Sequence, residues 1–257
     1  MINVNLIGGL GNNMFQYSLG RILAEQKGYN LSIDNINNLQ KYFLNVVNIN
    51  TNKTANGESL QLGHDSKQKT IQHVDLKEAL KHDGPITLAG YFQKYQYYIN
   101  HLDMIKGWFA YDDSGYFKPN ENDLVIHYRL TDYTILNWHL PPEAFIETIH
   151  KNNIKYNNCY LITDQPNHVF IEQLLKIKNL MVVNQTELAD FTLLKYAKQL
   201  IISHSSFSWW ASFLGHQDKV YIPMYKKSSS IWKTFPDQID DVDLIPNCEK
   251  YIKQILE

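Results

Sequence analysis

Apolar runs and polar stretches alternate regularly along the second half of the chain. The pattern predicts strands at 124–129, 159–163, 180–183, 200–203 and 219–222, and helices at 142–151, 166–177, 187–198 and 206–214. Short apolar runs separated by stretches of helical length are typical of βαβ units, which form parallel sheets. We therefore expect an α/β fold in this half.

The first half shows the same pattern only at its start. Residues 1–34 predict a strand, a helix and a second strand, whereas 35–85, rich in Asn, Lys, Gln and His, predict exposed loops and short helices. Residues 112–123, with Gly, Pro and several acidic residues, predict a linker. The expected domains are 1–115 and 121–257.

Two further segments have less certain roles. The aromatic cluster at 91–98 predicts ordinary packing, with an acceptor-binding surface as the alternative. The final stretch, 249–256, is short and amphipathic, and it can pack against either half.

Composition excludes several function classes. The chain has 257 residues, of which 44% are hydrophobic and 19% charged, and its net charge is −2. Without a dense basic tract we expect no nucleic-acid partner, and without a signal-like or spanning segment we expect a cytoplasmic protein. Cys159 and Cys248 are too few for a disulfide framework or a zinc site.

Hydroxyl side chains follow the apolar run at 200–202 and open the predicted helix at 206–214. Ser205 and Ser206 stand at this junction. Free N–H groups at a helix start, together with the helix dipole, form a site for phosphate. The alternative is a serine-capped helix whose tryptophans fill the core.

A cation follows another predicted strand. Arg129, one of few arginines in the chain, ends the run at 124–129. A guanidinium can bind two phosphate oxygens at once, which suits an anionic ligand. The alternative is a structural salt bridge between Arg129 and Asp132.

A glycine-rich segment links the first strand to the first helix. Gly9 and Gly11 allow the backbone to approach a bound group. The segment matches a dinucleotide fingerprint incompletely, because Met14 stands where the third glycine belongs, although Asp34 follows at a suitable distance. An NAD-dependent dehydrogenase is therefore a distant possibility.

Polar residues fall at the carboxyl ends of three predicted strands. His127 and Arg129 end one strand, Thr163 and Asp164 end the next, and residues 203–206, from Ser203 to Ser206, end a third. The carboxyl ends of parallel strands form the ligand-binding edge of open α/β sheets. We expect these side chains to lie together there.

Three strings in this order resemble the α-1,2-fucosyltransferases of glycosyltransferase family 11. They are GGLGNNMFQY at 8–17, HYRLTDY at 127–133 and SSFSWW at 205–210. The family carries a GGLGNQMFQY-like start, an H-x-R-R-G-D-Y segment and an SSFSWW segment. The resemblance covers most of the chain and is loosest from 35 to 110.

The resemblance implies a GT-B architecture, with two Rossmann-like domains facing a cleft and GDP-fucose held mainly by the C-terminal one. It further implies an inverting, metal-independent transfer of fucose to the 2-hydroxyl of a terminal galactose. The partners would be a GDP-sugar donor and a galactose-terminated glycan acceptor, with no metal cofactor.

Site residues in the C-terminal half follow from the same resemblance. Arg129 would hold the pyrophosphate, and His127 would contact the nucleotide or brace the loop. Ser205 and Ser206 would bind the β-phosphate with their helix N-terminus, and Phe207 is counted among the substrate-binding residues.

Further substrate-binding residues are implied in both halves. Asp190 would accept hydrogen bonds from guanine, and Asp164 corresponds to an acidic strand end of the family. Asn12, with Gly9 and Gly11, would reach the donor region across the cleft.

Four positions depart from the family pattern. Leu130 replaces a second arginine, Thr131 replaces glycine, Asn13 replaces glutamine and His204 replaces asparagine. Because a second cation often helps to hold a diphosphate, Leu130 puts the identity of the donor in question.

Sugar transfer needs a base that removes the proton of the acceptor hydroxyl and, in some transferases, a metal ion. Asp132 is the leading candidate base, ahead of His127 and Glu143, and a salt bridge to Arg129 is an equal alternative for it. Asp241 and Asp243 have the spacing of a metal-binding D-x-D, but a solvated acidic loop is favoured.

Two other functions remain open besides the fucosyltransferase. One is a transferase on the same scaffold that uses a different nucleotide sugar, and the other is a non-catalytic nucleotide- or glycan-binding protein. The sequence leaves the acceptor and the oligomeric state undetermined.

Overall fold

The chain divides into two compact units between Asp112 and Asp113. A computed structural model of the protein describes residues 1–65, 70–71, 76–225, 244–246 and 248–256. The second unit begins at Asp113 because its carboxylate accepts hydrogen bonds from Lys118 at 2.8 Å and from the Tyr196 hydroxyl at 2.7 Å.

The first unit is built on a five-stranded sheet. Its elements are β1 (Ile2–Asn5), α1 (Leu10–Lys27), β2 (Leu31–Asp34), α2 (Asn37–Gln40), β3 (Leu60–Asp65), β4 (Thr70–Ile71), α3 (Leu76–Lys81), β5 (Ile86–Ala89) and α4 (Leu102–Trp108). The strand order is β2-β1-β5-β3-β4, and only the β3–β4 pair is antiparallel. The expectation of loops and short helices over 35–85 is wrong for β3 and β4, which pair in this sheet.

Helix α1 packs closely on β1 because a glycine faces the strand. A Cβ atom at Gly20 would lie 2.5 Å from Cγ2 of Val4. The predicted apolar face of α1 is buried as a whole and comprises Phe15, Leu19, Ile22 and Leu23.

The aromatic cluster at 91–98 contributes to the core of the first unit. Phe92, Tyr97 and Tyr98 are buried, and the Tyr98 hydroxyl donates to the Phe92 carbonyl at 2.6 Å. These contacts agree with the packing interpretation of the cluster.

The second unit contains a six-stranded sheet. Its elements are β6 (Leu124–Tyr128), α5 (Thr131–Ile135), α6 (Pro142–Lys151), β7 (Cys159–Thr163), α7 (Val169–Leu174), β8 (Leu180–Val183), α8 (Glu187–Tyr196), β9 (Gln199–Ile202), α9 (Ser206–Leu214), β10 (Lys219–Tyr225) and β11 (Tyr251–Leu256). All neighbouring strands are parallel, in the order β11-β10-β9-β6-β7-β8. Counted from β6, this is the 3-2-1-4-5-6 order of dinucleotide-binding folds. The α/β class is confirmed.

Two predicted elements of this unit differ from the structure. Helix α7 is shorter than predicted, ending at Leu174, and the final amphipathic stretch is strand β11, which pairs with β10. Among the helices of the described residues, none is both long and apolar enough to cross a membrane.

The buried carboxylate of Asp123 fixes the backbone at the start of β6. Asp123 is fully buried, and one oxygen accepts from the Asn120 backbone N–H and side chain at 2.9 and 3.2 Å. Its other oxygen accepts from the backbone N–H and side chain of Asn158 at 3.1 and 3.0 Å. Asp123 therefore fixes the start of β6 to the start of β7.

We predict that Asp123→Ala lowers the free energy of unfolding by about 2–3 kcal/mol, because buried N–H groups lose their acceptor. Urea unfolding followed by tryptophan fluorescence measures the change. The control is Asp218→Ala, which removes an exposed carboxylate 3.7 Å from Lys198 and changes stability little. Equal stability of the two variants would contradict the assignment.

Candidate functional site

The predicted ligand residues of the second unit meet where the strand order reverses. Strand β6 has β7 on one side and β9 on the other, so their carboxyl ends flank the reversal point of the sheet. In open α/β sheets, ligands bind in the crevice at this point. His127 and Arg129 lie at the end of β6, and residues 203–206 follow β9.

Ser203 joins the ends of these two strands. Its Oγ atom accepts the backbone N–H of Arg129 at 3.1 Å and lies 3.2 Å from Nδ1 of His127. Its own N–H donates to the His127 carbonyl at 3.0 Å. Ser203 belongs to the polar strand end predicted at 203–206, but no role in the site was predicted for it.

The Arg129 guanidinium lies between two carboxylates. Its Nε donates to Asp132 at 2.8 Å and its Nη1 lies 3.0 Å from Asp164. The salt bridge to Asp132, one of the two interpretations of this pair, is thus present. Within the described residues Nη2 has no hydrogen-bond partner, which leaves donors for an anion.

The two carboxylates differ in what holds them. Asp164 also accepts the backbone N–H groups of Leu130 at 2.8 Å and Thr131 at 3.2 Å. Although burial acts to raise it, these hydrogen bonds, one from the Thr131 side chain and the charge of Arg129 hold the pKa of Asp164 below its usual value. Asp132 has only Arg129 as its described partner, and its side chain is 50% exposed.

These contacts give Asp164 a bracing position. It fixes the backbone of the 129–131 turn together with the guanidinium. Its direct contact with substrate, as implied by the family resemblance, stays a prediction.

The start of α9 supplies backbone donors beside this cation. Ser205 is the N-cap residue in extended conformation, without a side-chain cap hydrogen bond, and Ser206 begins the helix. The first N–H groups of a helix have no acceptor within it. Trp209 and Trp210 are fully buried. The two interpretations of this helix are therefore compatible, because its tryptophans fill the core and its first turn stays open to an anion.

His127 is neutral in this environment. It is only 5% exposed, and burial lowers its pKa to about 3, although the charge of Asp164 acts in the opposite direction. Its ring lies 5.8 Å from the ring of Phe207, which in turn lies 5.5 Å from that of Phe191. A neutral imidazole at this position can donate one hydrogen bond without titrating near neutral pH.

Asp190 presents a buried acceptor next to this aromatic row. It precedes Phe191 in α8, and its Oδ1 is buried without a hydrogen-bond partner among the described residues. Burial raises its pKa to about 7, opposed by a hydrogen bond from Gln185. An unpartnered buried carboxylate oxygen points to a ligand that supplies N–H or O–H groups.

The remaining predicted site residues lie in the first unit. Gly9 is the N-cap residue of α1, and Gly8 before it has φ of +81°, in the left-handed region that favours glycine. Gly11 and Asn12 lie in the first turn of α1, and the Asn12 side-chain oxygen accepts from Gln93 at 3.0 Å. The approach of these residues to a nucleotide stays a prediction.

The positions that depart from the family pattern have structural roles here. Leu130 is fully buried in the core of the second unit, and Thr131 begins α5. His204 bonds to the Pro223 carbonyl through Nε2 at 2.8 Å, and Asn13 donates to the Ile7 carbonyl at 2.9 Å. Leu130 therefore contributes packing where the family has a second guanidinium.

The other base and metal candidates lie apart from this cluster or outside the described residues. Glu143 is exposed in the first turn of α6. In the described part of the chain, no group of three or more His, Cys, Asp or Glu side chains can hold a metal ion. Asp241 and Asp243 lie outside the described residues.

Comparison with known sequences points to one family. Residues 163–244 match the family described as Glycosyl transferase family 11, a span that contains Asp164, Asp190 and the 203–207 segment. The chain is also similar to an alpha-1,2-colitosyltransferase of Escherichia coli, with 22% identity over 263 residues, covering 85% of this chain and 89% of that protein. The predicted resemblance to family 11 is confirmed.

Comparison with solved structures supports the fold. A mutant of Arabidopsis thaliana FUT1 in complex with GDP is similar with a TM-score of 0.51 and 13% identity, covering 86% of this chain and 69% of that chain. The fucosyltransferase NodZ from Bradyrhizobium is similar with a TM-score of 0.50 and 12% identity, covering 83% and 92%. At these identities the likeness shows the fold alone.

We predict that Asp190→Asn gains stability relative to the wild type as pH rises from about 4 to 7. The folded protein holds the Asp190 proton up to a pKa of about 7, whereas an aspartate in the unfolded chain has a pKa of 3.8, so wild-type stability from this group is lost across that window. The asparagine variant does not titrate. Urea unfolding of both proteins at several pH values measures the difference.

The control is Glu172→Gln, which neutralises an exposed carboxylate on α7. Its stability relative to the wild type does not follow the pH course of Asp190→Asn. A constant difference between Asp190→Asn and the wild type across this window would contradict a buried, protonated Asp190.

Proposed function

We propose that this chain, which is similar to the glycosyltransferases of family 11, transfers fucose from GDP-fucose to the 2-hydroxyl of a terminal galactose with inversion of the anomeric carbon. The family match and the colitosyltransferase relative support a glycosyltransferase. The donor, the linkage and the stereochemistry are our inference from the site and from the family pattern.

The observation that carries this proposal is the anion site at the reversal point of the second sheet. The Arg129 guanidinium and the first turn of α9 follow adjacent parallel strands, and Ser203 bonds one to the other. A permanent cation and a helix N-terminus together suit a diphosphate group. Asp190 adds a buried acceptor that fits the N–H groups of a guanine ring.

Departure of the nucleoside diphosphate is the step that these groups assist. As the sugar–phosphate bond breaks, negative charge accumulates on the leaving oxygen and must be stabilised. Arg129 and the N–H groups of Ser206 and Phe207 are fixed in advance by the fold, so they need little reorganisation. Our proposal assigns the charge neutralisation to these groups and requires no bound metal.

Asp132 is our candidate for the base that removes the acceptor proton. A diphosphate bound to Arg129 competes with Asp132 for the guanidinium, and this exposed ion pair is weak. Release from Arg129 frees Oδ1 of Asp132 from its hydrogen bond to the guanidinium, so that this oxygen can contact the acceptor hydroxyl. Donor binding would thus prepare Asp132 to accept a proton from the acceptor hydroxyl.

A second candidate is the transfer of a different nucleotide-linked sugar, such as colitose. The Escherichia coli relative is an alpha-1,2-colitosyltransferase. In addition, fully buried Leu130 stands where the family has a second arginine, so the diphosphate contacts differ from the family pattern.

Donor and acceptor are tested together by GDP titration followed by transfer assays. We predict that the protein binds GDP in calorimetry. We further predict transfer of labelled fucose from GDP-fucose to lactose or N-acetyllactosamine, without added divalent metal and with chelator present. A panel of other nucleotide sugars and NAD forms the specificity control.

Each other outcome contradicts a defined part of the proposal. Transfer from another nucleotide sugar alone would replace the donor. GDP binding without transfer to a broad glycan array would favour a binding protein. Binding of NAD with no binding of GDP would overturn the nucleotide assignment.

We predict different losses for the two residues of the exposed ion pair. Arg129→Ala abolishes transfer and weakens GDP binding, because the leaving phosphate loses its cation. Asp132→Asn lowers kcat by a factor on the order of 10²–10⁴ with GDP affinity preserved, since only proton transfer is affected. Steady-state kinetics and calorimetric titration measure both quantities.

The control for Arg129 is Arg129→Lys, which keeps the charge but loses the planar fork. The fold survives in all three variants, because Asp164 keeps its hydrogen bonds to the backbone of Leu130 and Thr131. Near-normal transfer by Arg129→Ala would overturn the phosphate assignment. Unchanged kcat in Asp132→Asn would remove this residue from the mechanism.

A further inference from the structure

The hydroxyl of Ser203 contacts both functional groups that follow β6. It is 1% exposed, accepts the Arg129 backbone N–H at 3.1 Å and lies 3.2 Å from Nδ1 of His127. Its carbonyl accepts the N–H of Ser205 at 2.7 Å, next to the start of α9. One buried residue therefore connects the cation, the imidazole and the helix N-terminus.

The proton positions follow from counting donors and acceptors. Oγ of Ser203 already accepts one N–H, from Arg129. If Nδ1 of His127 carried the ring proton, a second donor would point at the same oxygen. The hydroxyl proton of Ser203 would then have no acceptor among the residues that the structure describes.

The opposite arrangement gives a partner both to the Ser203 hydroxyl proton and to Nδ1 of His127. The Ser203 hydroxyl donates to Nδ1 of His127, and the proton of the neutral ring is then on Nε2. Nε2 has no hydrogen bond to the described residues, and it is not among their fully buried, unpartnered side-chain atoms. This N–H is therefore open to a ligand.

We propose that Ser203 is a positioning residue that sets the tautomer of His127 and anchors the Arg129 backbone, so that the imidazole donates its Nε2–H to the leaving diphosphate. The inference rests on the proposed function for the identity of the ligand. The tautomer itself is a property of the free protein. Ser203 acts through His127 and Arg129 and needs no contact with substrate.

The tautomer is tested by nitrogen-15 NMR of histidine-labelled protein without ligand. We expect a protonated Nε2 and an unprotonated Nδ1 for His127 at neutral pH, with the signal assigned by its loss in His127→Gln. In Ser203→Ala the preference for this tautomer is lost. A wild-type ring protonated on Nδ1 would overturn the inference without any variant.

The consequence for the ligand is tested by GDP titration. Ser203→Ala weakens GDP binding about tenfold, because it leaves the Arg129 N–H and the imidazole unanchored. Ser203→Thr keeps the hydroxyl and retains GDP affinity within about threefold of the wild type. Wild-type affinity in Ser203→Ala would overturn the positioning role.

Ser212→Ala is the matched control. Ser212 is equally buried in α9, but its hydroxyl donates to the Trp209 carbonyl at 2.7 Å, away from His127 and Arg129. The His127 tautomer and GDP affinity stay unchanged in this variant, and an equal loss of affinity would overturn the specific role of Ser203. A wild type that fails to bind GDP overturns the proposed donor, while the NMR result still decides the tautomer.

Discussion

The parallel pairing of β6 with β9 is the constraint on which the candidate site depends. It brings residues 127–129 next to residues 203–206, although 74 positions separate Arg129 from Ser203. The strand order reverses at this pair, so the two chain segments that leave it flank an open crevice. A buried hydroxyl, not a charged group, bonds the segments together. The backbone of Arg129 and the start of α9 are thus joined by hydrogen bonds that involve no charged group.

The charges of the site explain how one arginine can serve both structure and ligand. Asp164 has backbone partners in addition to Arg129 and stays in place when the guanidinium shifts. Asp132, half exposed, is the exchangeable partner. Its carboxylate neutralises the Arg129 guanidinium, whose charged form burial would otherwise disfavour. In the proposed function, a phosphate oxygen replaces the Asp132 carboxylate as the partner of the guanidinium, and the further charge of the diphosphate needs other donors.

The sequence predicted the second unit better than the first for physical reasons. Buried parallel strands such as β6 are continuous apolar runs between polar helical stretches, so their positions are visible. In the first unit, apolar and polar residues alternate along β3, which also contains Gly63 in the left-handed region. The role of Ser203 could not be predicted from its neighbours in the sequence, because its hydroxyl bonds to His127 and Arg129, which belong to the end of another strand. The clustering of strand ends was predictable, but the pairing of Arg129 with both carboxylates needed the side-chain geometry.

The replacement of the second arginine by Leu130 changes how this site can hold a diphosphate. With Leu130 fully buried, the turn after β6 offers one guanidinium instead of two. The rest of the negative charge must then be met by neutral donors, namely the N–H groups of α9 and the Nε2–H that Ser203 fixes on His127. Neutral donors compensate for a missing cation only when they are oriented in advance, because they lack long-range attraction. In the anion site that we propose, the burial of His127 and Ser203 therefore orients donors as well as filling the core.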